Sequence, residues 1–265
     1  MANNNIEILY ENDEIIAVNK PTGISVTKDR QGNDGVISIL QKQLGTDSPF
    51  KLIHPLDKDV SGVMILAKNS DGQSKYASLF AKQQIAHRYL AITEGPLSKP
   101  EGIIKSPIAR SKVDDEKMVI SPRRGKETIT KWAVVADFGS VCLLTAEPLT
   151  IRTHQVRVHL KSIGAPLTID PLYASKEGLF LSRFKLNYRL AKSRQEKPLI
   201  ERLTLHSYKI IVPQTESTER AVIIAPLDKK FKAAIKMLTK YSINQGDAFA
   251  KESDYERILA AQELL

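Results

Sequence analysis

The sequence has a single cysteine, Cys142, set inside the apolar run Val141 to Leu144. One thiol excludes a disulfide framework and any metal site built on cysteines, and its apolar neighbours place it in a core. Residues 1 to 6 are polar and lack the apolar centre of a secretion signal. No hydrophobic run approaches the length that crosses a bilayer. A soluble protein of a reducing cytoplasm, with no membrane partner, is the expectation. His154 and His159 are five positions apart rather than four and have no glutamate to complete a ligand set, so no metal is expected. There is no glycine-rich loop to cradle a nucleotide cofactor, no internal repeat and no low-complexity tract.

What is present is apolar content for a core and an excess of positive charge. With 265 residues, 42% of them hydrophobic, the chain is long enough for one large or two small domains. A formal charge of +9 and a pI near 9.4 favour a polyanionic partner, because each Lys or Arg brought to a phosphate releases condensed counterions.

In chain order, Ile6 to Tyr10 and Ile15 to Val18 are β-prone runs around a polar turn, and Asn19-Lys20-Pro21-Thr22-Gly23 stops the second. Val36, Ile37, Ile39, Leu40 and Leu44 recur at near-helical spacing before Gly45. Val63 to Ala67 reads as a strand buried on both faces, and Asp57, Asp59, Ser61 and Gly62 form the loop that feeds it. A carboxylate at the mouth of a buried strand is held rigidly yet can reach a ligand, although a loop Asp by itself is more often a turn former. Beyond it, Asn69 to Asp71 cap a helix running to about Gln84, and His87 to Gly95 reads as a strand with alternating faces. Residues 96 to 128 predict loops and short edge strands, and 130 to 136 with 141 to 146 a strand pair. A helix follows in which Val156, Leu160 and Ile163 share a face, with Thr153 as cap and Gly164 as stop. A strand at 221 to 225 and a basic amphipathic helix at 227 to 241 close the regular structure, and a tail at 242 to 265 regains helical spacing.

Taken together, several segments resemble the RluA-type RNA pseudouridine synthases. His54-Pro55-Leu56-Asp57 through Ser61-Gly62 and the apolar strand is similar to that family's His-Arg-Leu-Asp-x-x-Thr-Ser-Gly, with Pro55 and Val60 as departures. Lys20-Pro21-Thr22-Gly23 resembles its Lys-Pro-x-Gly opening, and His87-Arg88-Tyr89-Leu90-Ala91 its Lys/Arg-x-Tyr-x-Ala segment. Arg152-Thr153-His154-Gln155-Val156-Arg157 resembles its Arg-Thr-His-Gln-Ile-Arg, and Arg202 to Ser207 its closing Arg-x-x-Leu-His-Ala. Because the resemblance begins at Ile6, no additional amino-terminal RNA-binding (S4) module is expected.

The resemblance implies an α+β fold, a long and mostly antiparallel mixed sheet flanked by helices and loops, as a single catalytic domain over 1 to 241 with the helical tail 242 to 265 after it. It implies isomerisation of uridine to pseudouridine in ribosomal or transfer RNA on a flipped-out nucleotide, with no cofactor, no metal and a monomeric protein. Asp57 would be the nucleophile, Arg152 the cation that keeps its carboxylate charged in a partly dry site, and Tyr89 the ring against the base. His54, Lys58, Arg88, His154 and Leu205 are the expected substrate contacts, Leu205 as an apolar pocket floor. Pro55 cannot do what the family's arginine does for the RNA. Lys58, Arg88 or the basic, aromatic-interleaved stretch 175 to 197 would take its place, or the chain is an RNA-binding relative with reduced or lost turnover.

Overall fold

The computed structural model describes residues 5 to 242 except 30, 48, 190 to 194, 216 and 217, so the expected helical tail lies outside the described residues after Ser242. Strands β1 (Glu7–Glu11) and β2 (Ile15–Lys20) form an antiparallel hairpin. Asn12 shapes its turn by accepting the backbone N–H groups of Glu14 at 2.9 Å and Ile15 at 2.8 Å. Helix α1 (Val36–Leu44) stops at Gly45, whose φ of 63° suits a residue without a Cβ. A two-residue strand, β3 (Lys51–Leu52), leads into the Asp57 loop, and β4 (Ser61–Ala67) is buried along its whole length. Helix α2 (Ser70–Ala81) is capped by Asn69, which accepts the N–H of Gly72 at 2.7 Å.

After α2 come β5 (Ala86–Glu94), the edge strand β6 (Glu101–Lys105), and a separate small hairpin of β7 (Ile108–Arg110) and β8 (Met118–Ile120). Strands β9 (Ile129–Asp137) and β10 (Val141–Pro148) turn through Gly139, whose N–H is held by Asp137 Oδ1 at 2.7 Å. Helix α3 (Gln155–Ser162), β11 (Leu205–Val212), β12 (Ala221–Ile224) and α4 (Lys229–Tyr241) complete the described chain. Thr153 does not cap α3. His154 holds that place in the left-handed region, φ 55°, with no side-chain cap.

The large sheet runs β1-β2-β4-β11-β5-β10-β9-β6, with β3 on β4 and β12 on β11. Among the described pairings only β4 with β11 is parallel, His206 lying opposite Ser61 and Ser207 opposite Gly62. Gly62 is required there: its φ is 110°, and a Cβ would stand 2.0 Å from the carbonyl oxygen of Ser207. Alternation along the strands gives the sheet two apolar faces. Helices α1 and α3 pack Val36, Leu40, Val156 and Leu160 against Val18, Met64, Ala91 and Leu144 on one. On the other, Tyr76 and Phe80 of α2 cover Val63 and Ile65, while Phe231 and Leu238 of α4 cover Leu90 and Ile92. Each large side chain so buried contributes roughly 1.5 to 3 kcal/mol of transfer free energy. The layers thereby fix the loop between β3 and β4 above the first face. The stretch 175 to 197 sends Leu179 and Phe184 into the α4 face, away from that loop.

Candidate active site

The Asp57 loop is shaped from below by the Lys-Pro-Thr-Gly turn. Lys20 is fully buried, and its Nζ donates to the carbonyls of Pro21 at 2.9 Å, Lys58 at 2.7 Å and Val60 at 2.7 Å. Thr22 Oγ1 donates to the Asp59 carbonyl at 2.7 Å, and the Gly23 N–H to that of Lys58 at 3.0 Å. Burial pulls the Lys20 ammonium down to about 7, against the opposing pull of Asp59 and Asp57. This lysine therefore organises the loop's carbonyls. Asp57 itself keeps one-fifth of its side chain exposed, in a cleft shared with Tyr89, Leu205 and the segment 148 to 157.

The cation against Asp57 is Arg157, a correction to the expected Arg152. Nη1 of Arg157 donates to Asp57 Oδ2 at 3.0 Å, while its Nε and Nη2 grip both oxygens of Asp170 at 2.9 and 2.7 Å. Burial disfavours the Arg157 charge, but the bonds and charge of Asp170, then those of Asp57, more than offset it and raise the pKa. Arg152 precedes the helix, lies exposed at the cleft mouth, and donates to the Ile151 carbonyl at 2.7 Å. The cause is local: Arg157 lies on the buried helix α3, which projects it over the loop, whereas Arg152 stands before His154, the residue at the amino-terminal cap of that helix. His154 brings Nε2 to 3.8 Å from Asp57 Oδ2, with Nδ1 2.7 Å from Tyr173 Oη. That phenol also accepts the Met118 N–H at 2.8 Å. Burial lowers the His154 pKa more than the nearby carboxylates raise it.

Opposite this ionic group the cleft wall is neutral. Tyr89 is buried in β5, and burial, assisted by the Asp57 charge, pushes its phenol upward. Its ring lies 4.4 Å from that of His87, which meets His54 edge-on at 5.0 Å, and His54 in turn packs on Phe80 at 4.9 Å. Burial pushes His54 down to about 4 and His87 well below the imidazole range, so both are neutral near pH 7. His54 borders the cleft, yet its Nε2 accepts the Ile65 N–H at 3.3 Å and its ring is buried. It supports the wall rather than reaching into the opening.

Leu205 sits in the cleft floor. Lys58 is exposed outside the cleft, beside a separate cavity of about 630 Å³, and pairs with Asp29 at 3.6 Å. Arg88 is a correction. Strand alternation turns it away from Tyr89, where it pairs with Glu147 at 2.9 Å. Arg157, Asp170, Tyr173 and His87 belong to the site without having been singled out. A signal existed for Arg157: apolar Val156 and Val158 flank it, and a charge on a helix buried all round needs a partner. Among the described residues no cluster of three or more His, Cys, Asp or Glu is placed to hold a metal ion, and no helix is long and apolar enough to cross a membrane.

The chain is 30% identical to a "Ribosomal large subunit pseudouridine synthase C" of Buchnera aphidicola subsp. Baizongia pistaciae, over 87% of this chain and 70% of that one. It is 33% identical to a "Ribosomal large subunit pseudouridine synthase D" of Borreliella burgdorferi, over 74% of this chain and 65% of the relative. The solved structure of "Human RNA Pseudouridylate Synthase Domain Containing 4" superposes with a TM-score of 0.65 at 25% identity, covering 88% of this chain and 92% of that one. Residues 14–162 match the family described as RNA pseudouridylate synthase, in which Asp57, Tyr89 and Arg157 all fall, and the chain belongs to that family.

Proposed function

We propose that this protein converts uridine to pseudouridine in RNA of the ribosomal large subunit, with Asp57 as the nucleophile. The observation that carries the reading is the contact of Asp57 with a buried guanidinium at 3.0 Å, across a cleft from a buried tyrosine. Pseudouridine formation breaks the bond from N1 to C1′ and joins C1′ to C5, with no redox change. An ionised carboxylate can attack C1′, or assist removal of a ribose proton on the way to a glycal. Either course needs the acid charged in a site from which water is largely excluded, and Arg157 supplies the counter-charge. Asp170 fixes that guanidinium by a two-pronged grip, so Asp57 is aimed as well as charged.

The cleft opens to solvent between Pro55 and the segment Ile151 to Thr153. Across that rim a nucleotide would enter after leaving its stack, at a cost of about a few kcal/mol. Arg152, exposed on that rim, is a cation that could meet phosphate where Pro55 offers none, while Arg88 pairs with Glu147, and Leu179 and Phe184 of the basic stretch turn into the α4 face. The intact acid, arginine and tyrosine favour turnover over a binding-only relative. In the test, large-subunit RNA from cells lacking the gene is incubated with purified protein and its pseudouridines mapped. The wild-type protein modifies defined uridines, and Asp57→Asn is slower by at least about 10⁴-fold. Full activity in Asp57→Asn, or no product from the wild-type protein, refutes the reading.

A further inference from the structure

Beneath Tyr89 lies a chain of hydrogen bonds whose direction can be worked out from its far end. Ser207 Oγ is 2.7 Å from the Val63 carbonyl oxygen, which can only accept, so the serine proton points there. His87 Nε2 is also 2.7 Å from Ser207 Oγ. With the serine proton committed, Nε2 must carry the hydrogen and donate it. The groups packed on this imidazole are His54, Phe80, Tyr89 and Ser207, and none is a carboxylate. Burial keeps the ring neutral, which leaves Nδ1 bare. Tyr89 Oη stands 3.5 Å from Nδ1. Of the two, only the phenol has a proton to give.

From this we infer that His87 is a positioning residue that holds the phenolic proton of Tyr89 away from the nucleotide, so that Tyr89 Oη meets the uracil as an acceptor and takes the C5 proton. The inference rests on the proposed pseudouridine chemistry and on Tyr89 as the ring beside the base. At 3.5 Å the contact is long, as catalytic hydrogen bonds commonly are before substrate closes the site.

Once C1′ has joined C5, that carbon carries both the sugar and its original hydrogen. The C5–H electron pair becomes the C5=C6 bond, and the former C6=N1 pair withdraws onto N1, which takes a proton from water. The C5 proton passes to Tyr89 Oη while the phenolic proton shifts to His87 Nδ1. Release of one proton from Tyr89 to water, with the other shifting back, restores both side chains. Recovery of ring conjugation drives the transfer, so a weakly basic imidazole is sufficient.

Two measurements test this. Nitrogen-15 NMR of the wild-type protein at neutral pH reads the His87 tautomer directly. A bare Nδ1 with protonated Nε2 is expected, and the opposite tautomer or an imidazolium overturns the inference whether or not the protein modifies RNA. In the RNA assay, His87→Phe keeps the ring shape and loses both nitrogens. Its turnover at saturating RNA falls about 10²-fold with KM unchanged, and a primary isotope effect appears with uridine deuterated at C5. His87→Asn, with Oδ1 near the place of Nδ1, recovers part of the loss. Should His87→Phe not fold, His87→Asn and Ser207→Ala carry the comparison, both slower than wild type and both showing the isotope effect. Wild-type turnover in these variants, beside a slow Tyr89→Phe, removes the role of His87 and leaves the function standing. Full turnover in Asp57→Asn would instead strike the underlying reading while the tautomer result stands.

Discussion

The two walls of the cleft are built from opposite materials. One is ionic: Asp57, Arg157 and Asp170, joined by three hydrogen bonds of 2.7 to 3.0 Å and contributed by the loop, α3 and the segment after it. The other is neutral: His54, His87 and Tyr89, whose rings touch in succession, His54 edge-on to His87 and His87 tilted against Tyr89. In β5, burial strips charge from any base without a carboxylate partner, whereas on α3 two carboxylates keep a buried guanidinium charged. The contrast matches what the proposed reaction asks for. A fixed anion faces the sugar, and uncharged hydrogen-bonding groups face the base, where a stray cation would compete for Asp57.

The largest effect that bears on this contrast comes from removing the ionic wall's centre. Arg157→Gln leaves Asp170 buried without its partner and is expected to cost about 3 to 5 kcal/mol by denaturant unfolding, with turnover lost as well. A cost below about 1 kcal/mol would mean that the carboxylates find other partners and that the ionic wall is not a unit.

Acid attacks the neutral side. Burial holds His54, and likewise His206 on β11 outside the cleft, where its ring lies against Phe231, at about 4, while in the unfolded chain each takes up a proton near 6.5. The unfolded state thus binds more protons between those values, so stability is full above pH 6.5 and declines as the pH falls toward 4. Each group accounts for on the order of 3 kcal/mol of that decline. Unfolding curves at pH 7 and pH 5 check it, and equal stabilities at the two values contradict it.

Smaller still is the rim. Arg152→Ala is expected to reduce the salt dependence of RNA binding by about one unit of slope and to leave turnover at saturating RNA unchanged. A large fall in turnover would return Arg152 to the chemistry. Least of all, Arg88→Ala on the far side of β5 should cost under about 1 kcal/mol and leave modification of RNA as it was.

Much of this site could be read from residues alone, and the failures have physical causes. That Asp57 lies at the mouth of β4 and Tyr89 on β5 was legible because a strand's mouth and a strand's face are local facts, while their proposed roles and the fold came from the resemblance of ordered motifs. The partner of Asp57 was not, because two arginines five positions apart lie in one motif, and only the onset of α3 decides which projects over the loop. Arg88 was misplaced although period-two alternation with Tyr89 already sets it on the other face. His87 was unreadable for a deeper reason. The direction of its hydrogen bonds is dictated by Ser207 and Val63, and Ser207 is 120 residues away along the chain.

β4 and β5 are neighbours in sequence with only α2 between them, yet β11 lies between them in the sheet. During synthesis the segment bearing Asp57 is therefore made long before the strand that completes its surroundings. A nascent chain of some two hundred residues has an open slot between two unpaired strand edges, and β11 must be inserted there as a late, long-range step. Leu205, at the start of that strand, brings the floor, and Ser207 the end of the hydrogen-bond chain. Competence is thus withheld until the carboxy-terminal third has emerged, and a ribosome-bound fragment carries the acid without a place to use it.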